Sequence, residues 1–204
     1  MIRALCTVAV LLLVLVESTD AATLLFNSNP LTGNPALITP GRQIVPPAGS
    51  EPFLTFNPAT DVIALDPAAF GVGVFGFANG LSTSLPMTGV NFIVLQNGAP
   101  LAAGTAADAI ANQLTQDTPG FFIYFNSGLQ LPRLVYSTNL NDQNADLAVL
   151  ARFTNLSGPA GFAALSTITA ANVNVVPEPS SLLLTCVGAL LVGARVWRVR
   201  NSVR

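Results

Sequence analysis

The chain has 204 residues, with eight basic and ten acidic side chains, a net charge of −2, and neither histidine nor lysine. That composition excludes histidine-dependent triads, histidine metal sites and lysine Schiff-base chemistry. The apolar fraction of 51 % and the mean hydropathy of +0.59 partly reflect two apolar segments at the chain ends.

The first segment follows Arg3. Residues 4–16 are an uncharged apolar stretch, and Glu17-Ser18-Thr19-Asp20-Ala21-Ala22 is a polar end with small residues. This is the pattern of a secretory signal peptide over residues 1–22, cut after Ala21 or Ala22. Its apolar stretch is short for a permanent span, the alternative being a retained N-terminal anchor. Cys6 lies inside it, too early to be a lipoprotein cysteine.

Residues 23–52 read as a Pro-rich extended arm. It opens on the apolar run 23–26 and then carries Pro30, Pro35, Pro40, Pro46, Pro47 and Pro52. Residues 53–174 read as a β-rich exported domain. Between residues 23 and 176 there are three basic residues (Arg42, Arg133, Arg152) and seven acidic ones, a formal charge of −4, and no cysteine. Such a surface has no basic patch for nucleic acid, and the domain has no disulfide or thiol nucleophile.

Strands are expected over 53–56, 62–65, 70–77, 91–95, 121–125, 129–138 and 147–153, with one further strand between 162 and 176. Residues 105–114 are the one helix candidate, with Thr105 and Asp108 as a cap signal. Asn126-Ser127-Gly128 supplies a turn, so 120–156 reads as an antiparallel meander, with Pro132 arguing for an edge or a bulge. The fold class expected is mainly β, an antiparallel sandwich or roll with one short helix, flanked by a signal peptide and a C-terminal transmembrane helix.

The chain ends VPEPSSLLLTCVGALLVGARVWRVRNSVR. Pro177, Glu178 and Pro179 keep the backbone extended and out of helix. A transmembrane helix over about 180–197 would measure ~27 Å, close to the hydrocarbon thickness of a bilayer. The basic tail 195–204 holds Arg195, Arg198, Arg200 and Arg204, half of all basic residues, which orients the span with its end in the cytoplasm.

Residues 175–204 therefore resemble the PEP-CTERM sorting segment of exopolysaccharide-producing Gram-negative bacteria. The resemblance implies recognition of Pro177-Glu178-Pro179 by an exosortase, a membrane transpeptidase-like enzyme. It also implies export through the Sec translocon, a transient stay in the inner membrane, and delivery to the cell surface or extracellular matrix, where exopolysaccharide is a candidate partner. A plain C-terminal anchor with a proline-rich stem is the alternative. The meander, with the segment 56–65, is also similar to the C-terminal module beside RTX calcium-binding repeats. That likeness implies β architecture only, because the Gly-Asp repeats that supply the ligands are missing.

With histidine, lysine and core cysteine excluded, carboxylates are the remaining catalytic chemistry. A glycosidase needs two of them facing one bond. Asp61 with Asp66 and Asp142 with Asp146 are the candidates by elimination, although each suits a turn or the start of a strand. Asp142, Asn144 and Asp146 alternate like the start of a calcium loop, but Leu147 stands where glycine is needed and Phe153 at the twelfth position. Gly71, Gly73 and Gly76 spell a G-x-G-x-x-G without a strand–turn–helix context, which points to close packing rather than a dinucleotide site.

The reading favoured is an exported, non-enzymatic surface or matrix protein that needs no cofactor. The alternatives are an exported carboxylate-dependent polysaccharide hydrolase and a calcium-assisted adhesin.

Overall fold

The computed structural model describes residues 21–34, 41–45, 52–73 and 75–176. The expected signal peptide up to residue 20 and the segment from residue 177 onward lie outside the described residues.

Among the described residues ten strands form two sheets. Strands β1 (Thr23–Phe26), β4 (Val62–Leu65) and β10 (Val173–Val175) make a small sheet in the order β1-β4-β10, both pairs parallel. The large sheet runs β2-β9-β8-β7-β6-β5, from β2 (Ile44–Val45) to β5 (Phe77–Gly80). Within it, β6 (Phe92–Leu95) pairs parallel with both β5 and β7 (Gly120–Asn126). Strands β7, β8 (Leu131–Ser137) and β9 (Leu147–Phe153) are the expected antiparallel meander.

Two short strands share the outer edge of β9. Strand β2 pairs parallel with Leu147 and Ala148, and β3 (Phe53–Leu54) with Arg152 and Phe153. Between them the ladder shifts: Leu134 faces Ala151 while Val135 faces Val149. One extra residue in β9 makes a bulge there, and a bulge changes which face the following side chains take. Ala148 and Leu150 before it, and Ala151 and Phe153 after it, all reach the same core.

The antiparallel sandwich or roll is thus corrected to a mixed α/β fold dominated by a mixed sheet. The physical reason is layering. One face of the large sheet packs Phe92, Val94, Phe121, Ile123, Leu134 and Tyr136 against Ile63, Leu65 and Phe56 beneath the small sheet. The other face packs Ile93, Leu95, Phe122, Tyr124 and Val149 against the helix α2 (Ala103–Ala111), which buries Ala106, Ala107 and Ile110. A sheet covered on both faces reads as unbroken apolar runs rather than as alternation, and every residue of β7 is buried.

Other local expectations are corrected as well. The strand expected over 70–77 is corrected: Phe70 closes the short helix α1 (Pro67–Phe70), and the strand β5 begins only at Phe77. Gly71 caps α1 at φ 64°, in the left-handed region that glycine adopts without a steric cost. Gly76 does mark close packing, since a Cβ there would meet the Gly89 carbonyl oxygen at 1.7 Å. Helix α2 starts at Ala103 with no side-chain cap, and Asp108 instead pairs with Arg42 at 2.8 Å. Pro132 sits in an interior strand, at a position that pairs with Phe125 just before the β9 ladder begins at Arg133. Residues 162–176 hold the end of the helix α3 (Gly158–Ala164) and two 3-10 turns before β10.

Candidate functional site

The small sheet gathers the parts of the chain that export would touch. Strand β1 begins at Thr23, next to the expected signal-peptide junction, and β10 ends at Val175, two residues before Pro177. Both lie on β4, in parallel, with Thr23 opposite Val62 and Val175 opposite Leu65. The chain therefore enters the sheet at one end of β4 and leaves it at the other. The Val176 N–H donates to the Leu65 carbonyl at 3.0 Å, so backbone pairing continues to the residue before the Pro-Glu-Pro. Pro177 has no N–H to continue that ladder.

Asp61 and Asn172 hold this arrangement together. Asp61 is buried, and its carboxylate accepts from the Ala22 N–H at 2.9 Å, the Asn57 N–H at 2.8 Å and the Thr60 hydroxyl at 3.1 Å. Burial pushes its carboxyl up, but the bonds from Ala22, Asn57 and Thr60 outweigh that and hold it below the usual carboxylate range. Asn172 is buried too. Its amide donates to the Pro58 carbonyl at 2.8 Å and the Asp61 carbonyl at 2.9 Å, while its oxygen accepts from the Thr169 N–H at 2.9 Å. The contacts span 39 residues from Asp61 to Ala22 and 111 from Asn172 to Asp61. Asp61 stands where a turn or the start of a strand was expected, directly before β4, whereas Asn172 was not singled out. Its only local signal is Thr169 three residues earlier, the spacing of a capping box.

The other candidate carboxylates are occupied one by one. Asp66 caps α1, accepting from the Ala68 N–H at 3.0 Å and the Ala69 N–H at 3.4 Å. Asp142 accepts from the Asn144 N–H at 2.8 Å inside its own turn, and Asp146 accepts from the Gln43 N–H at 2.8 Å, fixing β2 against β9. The loop that holds Asp142, Asn144 and Asp146 is tied down at its start by Asp117, which accepts from the amides of Asn139 and Asn141 at 3.1 and 3.2 Å. These two bonds hold the Asp117 carboxyl below its usual range. Among the described residues no group of three or more His, Cys, Asp or Glu side chains is placed to hold a metal ion.

The described residues line several surface concavities, two of which are the larger. One of about 360 Å³ is lined by Phe75, Asn91, Gln116 and Thr118 among others. The second, of about 400 Å³, is lined by Leu81, Gln96, Asn97, Phe162 and Ser166. Two of its lining residues, Leu165 and Gln96, are tied together by Asn79, whose amide donates to the Leu165 carbonyl at 2.9 Å and the Ile168 carbonyl at 2.7 Å and whose oxygen accepts from Gln96. Amides beside a half-buried ring suit neutral hydroxylated ligands. Neither concavity is lined by a carboxylate.

Pro177, Glu178, Pro179, Arg195, Arg198, Arg200 and Arg204 lie outside the described residues. So does the expected transmembrane helix; among the described residues no helix is long and apolar enough to cross a membrane. Residues 175–201 match the family model of the PEP-CTERM protein-sorting motif. The chain thus carries the sorting motif of an exosortase substrate, which supports exosortase-dependent delivery to the cell surface or beyond. No curated protein and no solved structure matches the chain.

Proposed function

We propose that the protein is a non-enzymatic component of the cell surface or extracellular matrix. It is exported through the Sec translocon, held briefly in the inner membrane by residues 180–197, and processed by an exosortase at Pro177-Glu178-Pro179. The single observation behind this reading is the sorting motif at residues 175–201, which takes over where the last strand stops at Val175. A cut at or near Pro177 falls after the last of the ten strands found among the described residues, so it leaves these two sheets whole. The non-enzymatic part is supported by the carboxylates: Asp61, Asp66, Asp142 and Asp146 each accept separate structural hydrogen bonds, and neither described concavity presents an acid. The amide-lined concavity beside Phe162 is the surface on which a neutral matrix polysaccharide would sit.

The test is the intact mass of the protein from its native host and from a strain lacking exosortase. Loss of the tail at or near Pro177 in the normal host alone is the expected result. A tail retained to Arg204 in both strains would identify a permanent anchor and remove the basis for the matrix assignment.

A further inference from the structure

Asp61 presents an imbalance that the intact chain does not resolve. Asp61 is only 6 % exposed, yet every donor on its carboxylate, from Ala22, Asn57 and Thr60, is neutral. The ion pair between Arg42 and Asp108 is elsewhere. A buried carboxylate without a countercharge is costly to desolvate. The strands of the small sheet carry no other ionisable side chain, and neither do the turns 55–60 and 168–172 beside it.

One of the three donors is special. The Ala22 nitrogen, 2.9 Å from Asp61 Oδ1, belongs to a residue at the expected signal-peptide junction. We propose that the chain is cut between Ala21 and Ala22, and that the freed α-ammonium of Ala22 becomes the countercharge of Asp61, so that removal of the leader locks β1 into the small sheet. This rests on the export reading above. Hydrolysis consumes one water. Its oxygen joins the Ala21 carbonyl carbon, which departs with the leader as a carboxylate, and its two protons end on the Ala22 nitrogen, making it an ammonium. Nothing else need move, because the nitrogen already stands at ion-pair distance.

The neighbouring bond, between Ala22 and Thr23, fits poorly. A cut there discards the Ala22 N–H and also the Ala22 carbonyl, which accepts from the Val62 N–H at 2.9 Å. A buried carboxylate oxygen and the first N–H of β4 would both lose a partner. That cut would also put Asp20 three residues before the scissile bond, where a small uncharged residue is favoured; the cut after Ala21 puts Thr19 there. Ala21 and Ala22 are both exposed, so a peptidase can reach the bond between them.

The absence of lysine makes the proposal directly measurable, since the mature protein then has a single amine, its α-amino group. The exported protein is purified, its N-terminus is read by mass spectrometry, and its rate of acylation by acetic anhydride is followed against pH. The expected N-terminus is Ala22. The expected amine pKa lies above the ordinary α-amino range of about 7.7–8.0, and each unit of increase slows acylation near neutral pH about tenfold. Asp61→Asn should restore ordinary reactivity, and prior acetylation should lower the Tm of the wild type but not that of Asp61→Asn. Should Asp61→Asn fail to fold, the wild type in urea takes its place, and its amine must return to the ordinary range on unfolding. Identical acylation profiles in the compared forms would overturn the ion pair. A mature chain starting at Thr23, or at any residue other than Ala22, would overturn the cleavage site while leaving export intact. A chain that still starts at Met1 would overturn both.

Discussion

The two sheets are built from opposite kinds of sequence. The centre of the large sheet is local: β7, β8 and β9 follow one another through short connections and bury nearly every side chain. The small sheet is assembled from three segments drawn from the start, the first third and the end of the domain, and its strands are only three or four residues long. Local pairing is favoured by a low loop-closure cost, whereas a sheet made of distant segments must be held by specific groups. Here those groups are Asp61 and Asn172. The large sheet sustains the fold, and the small sheet ties the two chain ends to it.

Four measurements would break or sharpen that contrast. The largest effect is expected in the large sheet. Phe121→Ala removes a fully buried ring that contacts Phe70, Phe75, Phe92 and Tyr136, and should cost about 3–5 kcal/mol in urea denaturation. A loss below 1 kcal/mol would show that this core is not the main support. Next, Asn172→Ala leaves the Pro58 and Asp61 carbonyls short of a donor, at an expected cost of about 1–3 kcal/mol. Its signature in hydrogen exchange should be faster exchange in β1, β4 and β10 while β7 stays protected, and uniform change across both sheets would argue against a separate tie.

Acid should act on the same place. The Asp61 carboxyl is held below its ordinary value, so its contribution is complete above the unfolded pKa of about 3.9 and is lost as pH falls from there through the folded value. Exchange protection of β1 should therefore drop in that window before β7 is affected, and Asp61→Asn should flatten the difference. The smallest effect belongs to the exposed side of the Arg42–Asp108 pair. Asp108→Asn should cost below about 1 kcal/mol and less still in high salt. Arg42 keeps its bonds to the Ala145 and Gly104 carbonyls in any case.

The same contrast explains what could be read from the chain. Strands 62–65 and 147–153 were placed at their observed bounds because each is a short β-rich run with turn residues beside it, whereas 23–26, read as the apolar opening of an extended arm, is strand β1. Strand direction was not legible to the same degree. The order of NFIVL, an alanine-rich helix and FFIYF is strand–helix–strand, a pattern that suits a parallel crossover, and β6, α2 and β7 form one. The stretch FGVGVFGF looked like a strand because its glycines alternate with large apolar residues, but Asp66-Pro67 starts a helical turn and Gly71 ends it. The sorting motif was plain because its parts are adjacent and compositional. The Ala22–Asp61 and Asn172–Asp61 contacts were not, because hydrogen-bond partners separated by 39 and 111 residues leave no local pattern.

The direction of the small sheet has a mechanical consequence. Strand β1 is held from its first residue and β10 to its last, on opposite sides of β4 and all pointing the same way. A pull between the two ends of the domain runs along the strands, and so loads both ladders in shear, with all their hydrogen bonds sharing the tension. A pull across the strands would open the bonds one after another. In single-molecule stretching the domain should yield at a higher force when drawn from residues 22 and 176 than when drawn from 22 and 62, which lie at the same end of the ladder, so that β1 and β4 peel apart.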